Sequence, residues 1–114
     1  MRKAIAAAMA RSKREIPHYY LSQPIDLAKA QQWLAGVNAT REPPERILLA
    51  ALLLKAVALA LHDFPEMNGF YTDGAVPPSP AIHVGSAIAI RGGGLVAPAI
   101  RDADKLTLDG LRAA

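Results

Sequence analysis

Residues 81–104, AIHVGSAIAIRGGGLVAPAIRDAD, are the stretch whose reading decides the fold. Residues 82–90 form an apolar run almost free of charge, and residues 95–100 form a second. Between them stands Arg91-Gly92-Gly93-Gly94. Consecutive glycines admit the positive φ angles that a tight reversal requires and that other residues resist. The pattern predicts a β-hairpin buried on at least one face. The hairpin carries no catalytic constellation of its own.

Working backwards, residues 77–80 contain Pro77, Pro78 and Pro80, a stiff extended connector that cannot form a ladder. Asp73-Gly74 before it is a strong hairpin-turn signal, with 69–72 and 75–76 as its short arms. Residues 44–62 predict a helix opened by prolines, which are tolerated in a first turn. From Ile47 to Leu61 its only polar residue is Lys55. A helix apolar nearly all round is buried nearly all round, so a second layer or another subunit is expected over it. Residues 27–37 read as a helix capped by Asp26, with Trp33 and Leu34 pointing inward. Residues 17–27, PHYYLSQPIDL, read as a strand with an edge or bulge at Pro24, which has no N–H to donate. Residues 1–14 read as an alanine-rich helix with a narrow Ile5/Met9 stripe, stopped at Pro17. Forward of the hairpin, residues 102–105 are a polar turn and Thr107 caps a last helix. Helices and strands mix without strict βαβ alternation, which predicts an α+β fold with helices on one face of a sheet.

Composition bounds the function classes. The 114 residues suit one domain. The hydrophobic share is 52% with only 5% aromatics, so the core is aliphatic and part of the apolar surface is expected to face another chain. There is no cysteine, which removes disulfides, thiolate metal sites and a cysteine nucleophile, and suits a cytoplasmic protein. The basic start followed by AIAAAMA does not make a signal peptide, because the apolar run is short and Arg11, Lys13 and Arg14 follow at once. Residues 47–61 are too short, and too interrupted by Lys55, to span a bilayer, so no membrane association is expected.

The net charge of +3 is concentrated at the front, where Arg2, Lys3, Arg11, Lys13 and Arg14 precede Glu15. This arm reads either as a solvated helix face or as a contact for nucleic acid, a membrane surface or a phosphorylated small molecule. It lacks interleaved aromatics, which disfavours single-stranded nucleic acid, and no nucleic-acid partner is expected. His18, His62 and His83 do not stand at metal-ligand spacing, so no metal site is read. The glycine run has neither dinucleotide nor P-loop spacing. His18 reads as a pocket residue beside Tyr19 and Tyr20 or as a strand-end histidine bonded to backbone. Ser22 reads as a ligand hydroxyl or a plain sheet serine. His62 suits the end of a helix, His83 an outward strand position, and Arg101-Asp102 with Asp104 a solvated turn.

Three segments, RKAIAAAMARSKREIPHYYLSQPIDL, LLLKAVALALHDFPEMNGF and HVGSAIAIRGGGLVAPAIRDADKLTLDGL, together resemble the catalytic domain of the dihydrolipoamide acyltransferases of 2-oxo acid dehydrogenase complexes. They fall in that family's order and cover nearly the whole chain. PHYYLSQPID is also similar to its counterpart in chloramphenicol acetyltransferase, a relative by fold. The resemblance implies a chloramphenicol-acetyltransferase-like mixed sheet with helices on one face. It also implies acyl transfer between lipoamide and coenzyme A, both as substrates and with no metal, in a trimer-based homo-oligomer served by a lipoyl domain. A histidine of that family deprotonates the thiol, and a hydroxyl donor stabilises the oxyanion. By motif position, Arg2 and Lys3 lie where coenzyme A phosphates are met, and His18, Tyr19, Tyr20 and Ser22 line the acceptor or pantetheine channel.

The resemblance breaks at the chemistry. The family histidine sits in a His-x-x-x-Asp-Gly motif, and here Ser22, Glu66 and Ala87 stand four residues after the three histidines. No catalytic residue is therefore assigned, and residues 1–114 read as an incomplete domain, the N-terminal half. The chain reads as a fragment of a longer acyltransferase, a half-domain that pairs with a complementary half, or a non-catalytic assembly or binding module. Its end early in a helix favours the fragment.

Overall fold

The computed structural model describes residues 2–92 and 94–114; Met1 and Gly93, which fall in the expected first helix and hairpin turn, lie outside the described residues. Among the described residues there are four α-helices: α1 (Arg2–Glu15), α2 (Ala28–Asn38), α3 (Leu49–Asp63) and α4 (Leu108–Ala113). Four short strands, β1 (Val84–Gly85), β2 (Ile88–Ala89), β3 (Leu95–Val96) and β4 (Ala99–Ile100), lie between α3 and α4. The α+β expectation holds, and every strand pairing among the described residues is antiparallel.

The hairpin keeps one register across two short two-stranded ladders. Val84 faces Ile100, Gly85 faces Ala99, Ile88 faces Val96 and Ala89 faces Leu95. The break between its two halves falls at Pro98. Ser86 N–H donates to the Pro98 carbonyl at 3.1 Å, but Pro98 has no N–H to return the bond. At the tip, Ile90 N–H bonds Gly94 O at 3.1 Å, and Gly92 and Gly94 sit at φ 90° and 135°, as the reversal needs. Burial departs from the expectation. The base of the hairpin is buried through Ile82 and Ile100, whereas Ile88, Ile90, Leu95 and Val96 towards the tip are exposed.

Residues 17–27 form no strand. Pro17 and Pro24 cannot donate, no strand runs alongside, and the segment is exposed up to Asp26. Asp26 does serve α2: its Oδ1 accepts the Ala28 N–H at 2.8 Å. Leu34 packs against the core, but Trp33 is 48% exposed and not inward. The helix expected over 44–62 starts later, at Leu49, after a 3-10 turn at Pro43–Glu45. The cause is Asn38, whose side chain donates to Ile47 O at 2.8 Å and accepts from Ile47 N–H at 2.9 Å. That two-point clamp holds Ile47, only 3% exposed, out of the helix. The Asp73-Gly74 turn forms as expected, with φ 52° and 83°, and closes one Thr72–Ala75 bridge. Thr107 caps α4, its Oγ1 accepting the Gly110 N–H at 3.1 Å.

The core is small: Ile47, Ala51, Ala58, Ile82, Ile100, Ala103 and Leu111. α3 was expected to be buried nearly all round, yet Leu53, Val57 and Leu59 are each close to half exposed. The accessible surface is 9394 Å², against about 6,000 Å² for a compact monomer of this mass. The radius of gyration is 17.0 Å, against about 13 Å for a compact chain of this length. α3 has the composition of a sandwiched helix and a covering layer on one side only.

Outside the core, Arg41 grips both carboxylate oxygens of Asp109 on α4, Nη2–Oδ2 at 3.2 Å, and Arg112 Nη1 reaches Pro44 O at 2.9 Å. The hydrogen bond from Arg41 holds the Asp109 carboxyl below its ordinary range. A depressed carboxylate stabilises fully above its ordinary pKa and ceases to do so as pH falls through the depressed one. Asp109→Asn is therefore expected to flatten the acid limb of a stability–pH profile followed by urea melts. Asn38→Ala, which orphans both polar groups of buried Ile47, is expected to cost about 1–3 kcal/mol in the same urea measurement.

Candidate functional site

α1 is the bar on which the candidate residues are mounted. Its alanines favour helix without contributing a broad apolar face, and none of its residues is buried. At its first turn, Arg2 and Ile5 face Ala89, Ile90, Gly92, Gly94 and Leu95 of the hairpin tip across an open cleft of about 750 Å³. Lys3 is exposed beside it. The glycines matter here, because they bring backbone rather than side chains to the cleft wall. The cleft thus has a cationic entrance over an apolar floor.

The other candidates gather at the opposite end of α1. Lys13 Nζ sits 4.7 Å from the Tyr20 ring centroid and donates to the Tyr20 hydroxyl. This cation–π and hydrogen-bond contact folds the 17–22 segment back against the helix end. His18 Nδ1 lies 2.7 Å from Ile16 O. A carbonyl only accepts, so Nδ1 is the donor in this contact. The backbone bond is present, and it leaves the ring exposed at the start of the 18–22 segment. Tyr19 and Ser22 are exposed and make no hydrogen bond among the described residues.

The structure therefore divides the six residues. Arg2 and Lys3 stand at one end of α1; His18, Tyr19, Tyr20 and Ser22 stand at the other. Eleven residues of helix separate Arg2 from Lys13, about 16 Å of rise. The two groups therefore do not form one compact cluster. The 18–22 segment is a one-sided wall here, because the strand it was expected to form is absent.

A third feature is an apolar pocket of about 230 Å³ between α3, the hairpin and α4, lined by Leu48, Leu54, Ile88, Ile100 and Leu111, with Ser86 and Arg112 as polar members. Lys13 was read only as part of the basic arm, because its contact with Tyr20 crosses a chain reversal that no periodicity reveals. His83 was read as outward; it is exposed, but its Nδ1 accepts the Asp102 N–H at 3.0 Å and so braces the turn after β4. Among the described residues no serine–histidine contact exists, and no group of three His, Cys, Asp or Glu is placed to hold a metal ion. No helix is long and apolar enough to cross a membrane among them. Among the described residues the arrangement brings no nucleophile and base together.

The family described as 2-oxoacid dehydrogenases acyltransferase (catalytic domain) matches residues 1–114. The dihydrolipoyllysine-residue acetyltransferase component of the pyruvate dehydrogenase complex of Rhizobium meliloti is 34% identical over 97% of this chain and 26% of its own length. The lipoamide acyltransferase component of the branched-chain alpha-keto acid dehydrogenase complex of Bacillus subtilis is 33% identical over 97% and 26%. A probable dihydrolipoamide acetyltransferase from Listeria monocytogenes superposes with TM-score 0.87 at 32% identity, covering 98% of this chain and 48% of that one. The cubic core of the pyruvate dehydrogenase multienzyme complex superposes with TM-score 0.87 at 26% identity, covering 98% and 47%. The chain thus spans about a quarter of the curated relatives and about half of the solved cores.

The two imidazoles are fixed in opposite tautomers, His18 protonated at Nδ1 and His83 at Nε2. Nitrogen-15 chemical shifts, recorded at a pH where both rings are neutral, are expected to separate them accordingly. Matching tautomers would contradict the 17–22 geometry.

Proposed function

The chain belongs to the 2-oxoacid dehydrogenase acyltransferase family, matching its catalytic domain over residues 1–114, and from that premise we propose that it is the N-terminal half of a domain moving acyl groups between lipoamide and coenzyme A. The observation that carries this reading is the superposition of nearly the whole chain on about half of a solved acetyltransferase core. The exposed tip of the hairpin and the uncovered side of α3 are what a missing second half, and neighbouring subunits, leave open.

In this reading the first half supplies walls. Arg2 and Lys3 meet the phosphates of coenzyme A, and His18, Tyr19, Tyr20 and Ser22 line the path of its pantetheine or of the lipoyl arm. Cationic side chains at the entrance and amphipathic aromatics along the path suit a long, charged-headed thiol. The base that takes the thiol proton, and the donor to the oxyanion formed when thiolate adds to the thioester carbonyl, come from the second half. No histidine here stands in the His-x-x-x-Asp-Gly pattern. His18, whose bond to Ile16 O fixes Nδ1 as donor, keeps a role in lining. The proposed setting is a cytoplasmic, trimer-based homo-oligomer visited by a lipoyl domain. The acyl group stays open, since the relatives include both acetyl and branched-chain components.

Two measurements test this. The purified chain is expected to show no acetyl transfer from acetyl-coenzyme A to dihydrolipoamide above the blank; transfer by these 114 residues would overturn the division of labour. Calorimetric titration with coenzyme A is expected to show binding that weakens when Arg2→Ala and Tyr19→Phe are combined. Binding that is absent, or unchanged by the pair, would remove the wall assignment.

A further inference from the structure

The chain holds two asparagines, and they are in opposite chemical situations. Asn38 is followed by Ala39, and both of its side-chain polar atoms are engaged by the Ile47 backbone. Asn68 is followed by Gly69. Its Nδ2 donates to Ala81 O at 3.0 Å, and no partner to its Oδ1 is found among the described residues. The Gly69 amide donates no hydrogen bond among the described residues.

The glycine is required by the fold. A Cβ at position 69 would collide with the Pro77 carbonyl oxygen, because the Gly69–Pro78 bridge brings the two backbones into close approach. At the Asn68 ψ of 87° the Gly69 nitrogen points away from the Asn68 side chain, so the peptide must rotate before the two can meet. The surrounding segment, residues 64–80, has no buried residue; only Asn68 and Ser79 are even half-buried. Opening such a segment to let the Asn68 side chain swing toward the next amide is cheap on the scale of local unfolding.

We propose that Asn68-Gly69 is a site of spontaneous covalent self-modification, in which the chain converts Asn68 to an aspartyl or isoaspartyl residue. The Gly69 nitrogen, having lost its proton to solvent base, attacks Asn68 Cγ. The new N–Cγ bond closes a five-membered imide while the Cγ–Nδ2 bond breaks, and Nδ2 leaves as ammonia with a proton from water. Water then adds to one of the two imide carbonyls and opens the ring. Opening at the backbone carbonyl side yields the isoaspartyl link; opening at the other carbonyl yields aspartate. One water is consumed and one ammonia released, with no change of oxidation state.

The structural consequence follows from what Asn68 holds. Its Nδ2 and the Ser79 hydroxyl both donate to Ala81 O, and its own carbonyl accepts the Ser79 N–H at 2.6 Å. A carboxylate at 68 has no proton for Ala81 O and faces it oxygen to oxygen. The isoaspartyl link also adds a methylene to the backbone at the Ser79 contact. Either product releases residues 64–70 from the connector that leads into the hairpin.

The test is peptide mapping by mass spectrometry of the purified chain incubated at 37 °C at several pH values, beside a synthetic peptide of residues 64–72. The expected result is the mass change of an NH-for-O exchange confined to Asn68, with both isomers present. Its rate should rise with pH and lie within about a hundredfold of the peptide's, slowed by the opening of the Asn68 contacts that must come first. Asn68→Ser should abolish it. A folded chain that stays unmodified while the same chain in urea converts would overturn the proposal. For the consequence, Asn68→Asp should melt at least about 4 °C below the parent. An unchanged melting temperature would overturn that part.

Discussion

Lys55 is the only polar side chain in fifteen consecutive residues, and its ammonium organises the fold. Nζ donates to the carbonyls of Asp104 and Leu106, at 2.5 and 2.7 Å. A cation on an apolar helix must find oxygen, and these carbonyls belong to the turn between β4 and α4. The turn is thereby drawn onto α3, where Ala58 and Ala103 are both fully buried. Small residues at the contact permit the close approach that the lysine enforces. The same turn donates Ala103 N–H to Ile82 O at 2.9 Å and Asp102 N–H to His83. It therefore ties the hairpin base, α3 and α4 at one node. In sequence it reads as a solvated polar turn, because RDAD shows charges and hides the alanine and carbonyls that carry the load.

What was legible in the chain follows from how far each signal has to reach. The hairpin, the Asp73-Gly74 turn and the Thr107 cap are written in neighbouring residues, and each forms where those residues place it. The late start of α3 was not legible, because it depends on Asn38 meeting Ile47 nine residues away. The strand over 17–27 was read from alternation and tyrosines, but a strand needs a neighbour, and none is present beside it. The inward Trp33 and the all-round burial of α3 fail for the same reason. Their apolar character records surfaces that the described residues do not cover.

The candidate site obeys the same division. Arg2, Lys3, His18, Tyr19, Tyr20 and Ser22 were found through a resemblance and not by spacing, and the structure separates them along α1. What joins the two groups is the helix, a rigid spacer whose far end is secured to Tyr20 by Lys13. That joint was invisible in the sequence because it depends on a reversal at Pro17 that composition does not encode.

Pro98 shows how local chemistry prepares a non-local role. By withholding one N–H it divides an otherwise continuous ladder into a base and a tip. The base keeps Ile82 and Ile100 in the core, while the tip, in the same register, leaves Ile88, Leu95 and Val96 exposed. Exposed large apolar side chains lie on the hairpin tip, the 16–25 segment, residues 64–76 and one side of α3. At about 25 cal/mol per Å², the roughly 3,400 Å² of surface beyond that of a compact monomer is a large unrealised driving force, even if only half of it is apolar. A chain with these numbers is covered at its node and uncovered at its margins, and it is at those margins that the association proposed above would bury apolar surface.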